Sequence, residues 1–173
     1  MTTKETFTFK TLSNHDLDDI MKLQEECVAT LPDPSLFYPL SRDELEESLQ
    51  LDFVIGAFAG SVPVAVAIIV ANRESPRNLG SELGYKSEQA YTFDAVMVLP
   101  RWRGHGLQSS LLRQCMKIAQ EARVARIVAT VSPDNKYSLA NFMKLGFEIV
   151  TTSEKYGGLI RHIVSYNCMP DNL

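Results

Sequence analysis

The chain lacks most of what would mark a secreted, metal-binding or membrane-spanning protein. Its three cysteines, Cys27, Cys115 and Cys168, are an odd and scattered set with no CxxC. They supply neither a disulfide frame nor a zinc site, and read as reduced thiols in a cytoplasmic protein. His15, His105 and His162 fall on different expected elements, so no metal site is expected and no Ser/His/Asp set is suggested. The opening "MTTKETFTFK" has no apolar h-region of a signal peptide. The longest apolar run, "VPVAVAIIVA" (62–71), is about half the length of a membrane helix and rich in β-branched residues. It reads as a buried strand, and no membrane partner is expected. Walker A and the dinucleotide GxGxxG are both absent. A net charge of −4 argues against nucleic acid as a partner.

What is present suits one globular domain spanning 1–173, with 45% hydrophobic and 22% charged residues and no repeats or linkers. Charge is unevenly placed. Residues 90–145 hold eight Lys/Arg against three Asp/Glu, whereas residues 1–52 hold four against twelve. The division suggests two ligands of opposite charge; the bland alternative is that acidic helix faces in the N-terminal part are merely solvated.

"FTFKTL" (7–12) alternates as a strand should. A helix is predicted from Asn14 to about Leu31, and Ser41 with Glu44 forms a capping box ahead of a second, acidic helix. "FVIGAFAGSVPVAVAIIVA" reads as two strands joined at Gly60-Ser61. Residues 72–89 are a long polar loop, functional or mobile. "AYTFDAVMVLP" is a strand, Gly106 to about Arg123 a helix, "RIVATVS" a strand, and Lys136–Leu145 a helix closed by Gly146. "FEIVTT" and "IRHIVSYN" complete a β-α-α-β-β-β-α-β-α-β-β order, a mixed α/β (α+β) domain.

One stretch stands out in this acidic chain: "RWRGHGLQSSLL" (101–112), with three cations round two glycines ahead of an apolar helix. A helix N-terminus carries unpaired N–H groups and the positive end of the macrodipole, and glycines let a ligand approach the backbone. Strand, glycine loop and helix are the parts that hold a pyrophosphate.

"VMVLPRWRGHGLQSSLL" resembles motif A of the GNAT superfamily of acyl-CoA-dependent N-acetyltransferases. The family's second motif is matched by "NKYSLANFMKLGF", which starts thirty-two residues after Arg103. The resemblance implies the GNAT fold, a mixed, mostly antiparallel sheet flanked by helices. It implies acetyl transfer from acetyl-CoA to a primary amine by direct attack in a ternary complex. Amides of Gly104, His105, Gly106, Leu107, Gln108 and Ser109, with Arg103, would cradle the CoA pyrophosphate. Val96 and Val98 would pair with pantetheine as an extra strand, beside a β-bulge that splays the strand from its neighbour. The resemblance also places Asn135 on the pantetheine arm and Ser138 at the small position that follows. Arg101, His105 and Lys136 are either exposed cations or phosphate contacts.

Three positions depart from the family pattern. Gln108 replaces a small residue, Phe142 stands where many members have a Tyr that protonates the departing thiolate, and Thr130 stands where some carry a Glu base. Phe has no proton to give, so Tyr137, Tyr156 or water would serve as acid. Asp94, of the same parity as Val96 and Val98, is the carboxylate left on the central strand and the candidate base. It lies about 13 Å from Val98 along an extended strand, which calls for a short water chain. The acceptor site would be built by "TLPDPSLFYPL", the acidic second helix, the 72–89 loop and "KYGGLIRH". Its acidic residues favour a cationic acceptor, a small-molecule or peptide amine, with the enzyme a monomer or homodimer. The alternatives are a non-catalytic CoA-binding regulatory module, or a transferase for another acyl group or an oxygen acceptor.

Overall fold

A computed structural model describes residues 5–169. The elements follow the expected order: β1 (Phe7–Thr11), α1 (Leu17–Ala29), α2 (Arg42–Leu51), β2 (Phe53–Ala59), β3 (Val62–Val70), β4 (Ala90–Val98), α3 (Leu107–Glu121), β5 (Arg126–Val131), α4 (Lys136–Lys144), β6 (Glu148–Lys155) and β7 (Leu159–Asn167). The strands form one seven-stranded sheet in the order β1-β2-β3-β4-β5-β7-β6. Only the β4–β5 pair is parallel; the remaining neighbours run antiparallel.

Local signals explain most boundaries. Ser41 and Glu44 make the reciprocal capping box that opens α2, Ser41 Oγ accepting from the Glu44 amide at 3.2 Å and Glu44 Oε2 from the Ser41 amide at 2.8 Å. The predicted start of α1 at Asn14 is too early. Asp16 accepts from the Ser13 amide at 2.8 Å, and this holds Asn14–Asp16 as a 3₁₀ turn before regular helix begins at Leu17. The 72–89 segment is not shapeless. Its centre is the buried Asn78, whose amide donates to the carbonyls of Ala71, Arg73, Ser87 and Ala90.

Apolar side chains cover both faces of the sheet. α3 and α4 bury Leu107, Leu111, Leu112, Cys115 and Phe142 on one face. On the other, α1 and α2 bury Ile20, Leu23 and Leu45 against Val54, Val66 and Ile68. Every residue of β3 from Val64 to Val70 is fully buried between these layers, which accounts for its unbroken apolar run.

β4 positions the site. It pairs with β5 only over Ala90–Phe93, after which the two strands part. On its other side, Phe93 pairs with Ile69 and Ala95 with Ile68, leaving Asp94 as the extra residue of a bulge. The bulge resets the alternation. Tyr91, Phe93, Val96 and Val98 pack toward α3 and α4, whereas Ala95 and Met97 pack toward α1 and α2. Equal parity therefore does not put Asp94 on the face of Val96 and Val98. Asp94 turns toward α2, and the reason is the one residue inserted between the two registers.

Candidate active site

Where β4 and β5 diverge, a cleft of about 540 Å³ opens between them. Phe93, Asp94, Ala95 and Val96 line one wall, Thr130, Val131 and Ser132 the other. Asn135, Ser138 and Phe142 close one end. The opposite end takes residues from all four segments expected to surround an acceptor: Leu36–Tyr38 and Leu40, Glu44 of α2, Pro76, Arg77 and Leu79, and Lys155, Tyr156 and Arg161.

The glycine loop lies at the mouth of α3. Gly104 and Gly106 have φ of +80° and +75°, and a Cβ at either would meet no atom within 4 Å. Backbone conformation, not crowding, requires glycine here. The backbone N–H groups of Gly104, His105, Gly106, Leu107, Gln108 and Ser109 find no acceptor among the described residues; the first helical bond runs from the Ser110 amide to the Gly106 carbonyl at 3.0 Å. This row of unspent donors at the positive end of a fifteen-residue helix fits an anion. Arg103 is exposed beside it, its Nε donating to the Val98 carbonyl at 3.3 Å. The His105 ring folds back over Phe7 and Trp102, and its Nδ1 lies 3.1 Å from the Trp102 carbonyl, so only its amide faces the loop.

Gln108, the first departure, neither projects to solvent nor overhangs the loop. Its amide nitrogen donates to Ser138 Oγ at 2.7 Å and its oxygen accepts from Asn141 at 3.0 Å, tying α3 to α4. Asn135 caps α4, accepting the Ser138 amide at 3.2 Å, while its NH₂ remains unspent at the edge of the cleft. The helix-cap and cleft-facing roles coexist.

The sequence matches the Acetyltransferase (GNAT) family over residues 17–147. The chain belongs to that family. The L-amino acid N-acetyltransferase AaaT of Escherichia coli K12 is 37% identical over 62 residues, a match covering 35% of this chain and 38% of that relative's length. The ribosomal-protein-S18-alanine N-acetyltransferase of Escherichia coli shares the fold at a TM-score of 0.73 and 18% identity, over 97% of this chain and 99% of that one. So does yncA of Salmonella typhimurium, solved with its cofactor acetyl-CoA, at 0.70 and 18%, over 94% of each chain. No helix among the described residues is long and apolar enough to cross a membrane.

Within this GNAT fold, the residues expected to move protons fare differently. Asp94 lines the cleft with its side chain 13% exposed, and donates nothing: it accepts from Arg77 Nη1 at 2.8 Å. Burial pushes its carboxyl up to about 6, with the Arg77 charge opposing. Tyr156 also lines the cleft. Its hydroxyl lies 3.0 Å from Thr130 Oγ1, at the position where some family members carry a Glu, and its ring stacks on Tyr38 at 4.6 Å. Burial raises its phenol above the ordinary value, so the proton stays on at neutral pH. Tyr156 holds φ of +52° in a turn closed by the Gly158 amide and the Lys155 carbonyl. A bulky residue there is unusual, and such strain clusters at functional positions. Tyr137 is 89% exposed on α4 and is not brought into the cleft.

Two arginines that no local sequence motif singles out, Arg73 and Arg77, complete the polar network beside the cleft. Arg77 Nη2 donates to Ser48 Oγ at 2.7 Å and to Glu47 at 3.1 Å, besides the Nη1 bond to Asp94. Arg73 clasps Asp52, whose side chain is fully buried, through Nε and Nη2, both at 2.8 Å. Of the acidic residues on the second helix, Glu47 is thus committed to two arginines from the 72–89 loop, which also hold Asp52 and Asp94. Opposite charges seventeen or more residues apart carry no local pattern, and only the fold pairs them.

Proposed function

We propose that this protein transfers an acetyl group from acetyl-CoA to a primary amine by direct attack in a ternary complex. The observation that carries the reading is the run of free amides from Gly104 to Ser109 opening beside a β4–β5 split. Those donors, with Arg103, suit the pyrophosphate. The unpaired side of β4 at Val96 and Val98, with Asn135 and Ser138 across the split, suits the pantetheine arm. Acetyl-CoA supplies an activated thioester carbonyl. Family membership and the name of the amino-acid acetyltransferase relative support an amine acceptor.

Chemistry on this chain needs a neutral amine. Asp94, ionised above a carboxyl value of about 6, takes the ammonium proton through water from an acceptor in the cleft. The amine nitrogen bonds to the thioester carbon, and an amide near Val98 stabilises the oxyanion. The C–S bond then breaks, and the nitrogen gives up a further proton to cleft water to leave the neutral amide. Tyr156, which keeps its phenolic proton, protonates the thiolate in place of the Tyr absent at Phe142. Positioning in the cleft contributes rate independently of either proton step.

Turnover of acetyl-CoA over a panel of amines, read as free thiol released, tests the reading together with thermal denaturation. At a hundredfold over its Kd, acetyl-CoA should stabilise the fold by about 2.7 kcal/mol. A shift without turnover of any amine would leave a CoA-binding module; no shift at millimolar acetyl-CoA overturns the assignment altogether.

A further inference from the structure

Among the described residues, the cations that line the cleft are each paired with a carboxylate except one. Arg77 meets Asp94 and Glu47, Arg73 meets Asp52, and Lys155 bonds Glu82. Arg161 is 4% exposed, as buried as the apolar core, yet has no carboxylate within ion-pair distance among the described residues. Its hydrogen bonds go to backbone carbonyls: Nη1 donates to Ile160 at 3.0 Å and Nη2 to Ser35 at 2.6 Å. A guanidinium carries five N–H donors, so the greater part of this fork is unspent. It lines the cleft, and its carbon lies 5.9 Å from the centroid of the Tyr156 ring, which stacks in turn on Tyr38. A buried cation without a counter-ion is costly unless something supplies the charge. Glu44 and Glu154 also line the cleft, but Glu44 is engaged in its capping box and neither comes within ion-pair distance of Arg161.

We propose that Arg161 is a carboxylate anchor: the acceptor is a small molecule bearing both an amine and a carboxylate, its carboxylate on the guanidinium fork and its amine toward Asp94. The assignment rests on the reading of the cleft as an acetyltransferase acceptor site. It also replaces a simply cationic acceptor with a zwitterionic one. Tyr38 and Tyr156, stacked on one another beside the anchor, line the cleft with aromatic surface for the apolar part of such a molecule. Arginine fits this task because its planar fork matches a carboxylate in two parallel bonds.

The test compares free L-amino acids with their carboxamides, which keep the amine and lose the negative charge. Wild type should use the free acid with kcat/KM about 10²-fold or more above the carboxamide, since a site built for a polar group rejects the analogue lacking it. Arg161→Gln should lower the value for the free acid by about 10²-fold, in KM more than kcat, and leave the carboxamide within about threefold. Arg161→Lys should recover part of the loss. If Arg161 merely pins the Ser35 segment, both substrates fall together and the assignment is overturned. Equal use of acids and carboxamides by wild type overturns it without any variant. Calorimetric titration into the CoA-loaded protein separates the two claims. Preferential binding of free acids without turnover removes the transferase reading and keeps the anchor, whereas equal or absent binding of both sets removes the anchor.

Discussion

At the end of the cleft proposed for the coenzyme, the groups in position to bind are mostly backbone amides, and they lie close together in sequence from Val96 to Ser109, with Asn135 and Ser138 added from the start of α4. At the end proposed for the acceptor they are side chains drawn from Leu36 to Arg161. The first end is built by conformation: two positive-φ glycines and a helix start expose donors that any anion of the right shape could use. The second is built by charge pairing, with Arg73 and Arg77 neutralising Asp52, Glu47 and Asp94. A backbone site tolerates change in its side chains but not in its φ angles. A side-chain site has the opposite sensitivity.

That contrast is most severely tested at Gly106. Gly106→Glu should abolish the acetyl-CoA thermal shift, the full ~2.7 kcal/mol at a hundredfold over Kd, because it puts a negative charge at the anion loop. Its left-handed backbone adds strain of about 1–2 kcal/mol. Gly106→Ala carries the strain without the charge and should keep most of the shift. Equal loss in the two variants, read by thermal denaturation with and without acetyl-CoA, would mean that loop conformation alone governs binding.

Asp94 tests the other end. Asp94→Asn preserves shape and should lower kcat/KM by roughly 10- to 10³-fold, with acetyl-CoA affinity unchanged. Wild-type kcat/KM should rise with pH through about 6 as the carboxyl ionises, and the variant should lose that limb. The stability sign runs the opposite way. A carboxyl whose folded value exceeds its unfolded one binds more protons when folded, so its contribution is largest below the unfolded value and declines as pH rises toward 6. At pH 7 the asparagine variant should therefore melt no lower than wild type by more than the loss of its Arg77 bond requires. Wild-type rates across the pH range would remove Asp94 from the mechanism.

The same contrast explains what could be read from the sequence. Strand and helix order, the Ser41–Glu44 box, the Gly60 turn and the glycine loop depend on residues a few positions apart, where period and turn chemistry suffice. The family resemblance implies a bulge in β4, but its place at Asp94 is a matter of register between β3 and β4, and neither strand alone encodes it. Arg77 and Arg161 look like ordinary surface cations until the fold brings Asp94 to one and buries the other. The usable signal was the proximity of Arg73 and Arg77 to an apolar strand in a loop too long to be a simple connection.

Phe142 should produce the smallest effect and sits where the two ends meet. It is 2% exposed, edge-on to Phe93 and Phe147, and still contributes to the cleft lining. A hydroxyl added to this ring reaches either the cleft, where water or Asn135 can receive it, or the apolar layer under α3. In the first case Phe142→Tyr leaves kcat/KM within about threefold and the melting temperature almost unchanged, because the new donor is satisfied. In the second, an unsatisfied buried hydroxyl costs about 1–3 kcal/mol, and a domain of this size loses roughly 2–4 °C for each of them. The cleft lining favours the first outcome. A drop beyond about 4 °C would place the ring edge in the sealed layer and separate this position from the proton donor that other family members carry there.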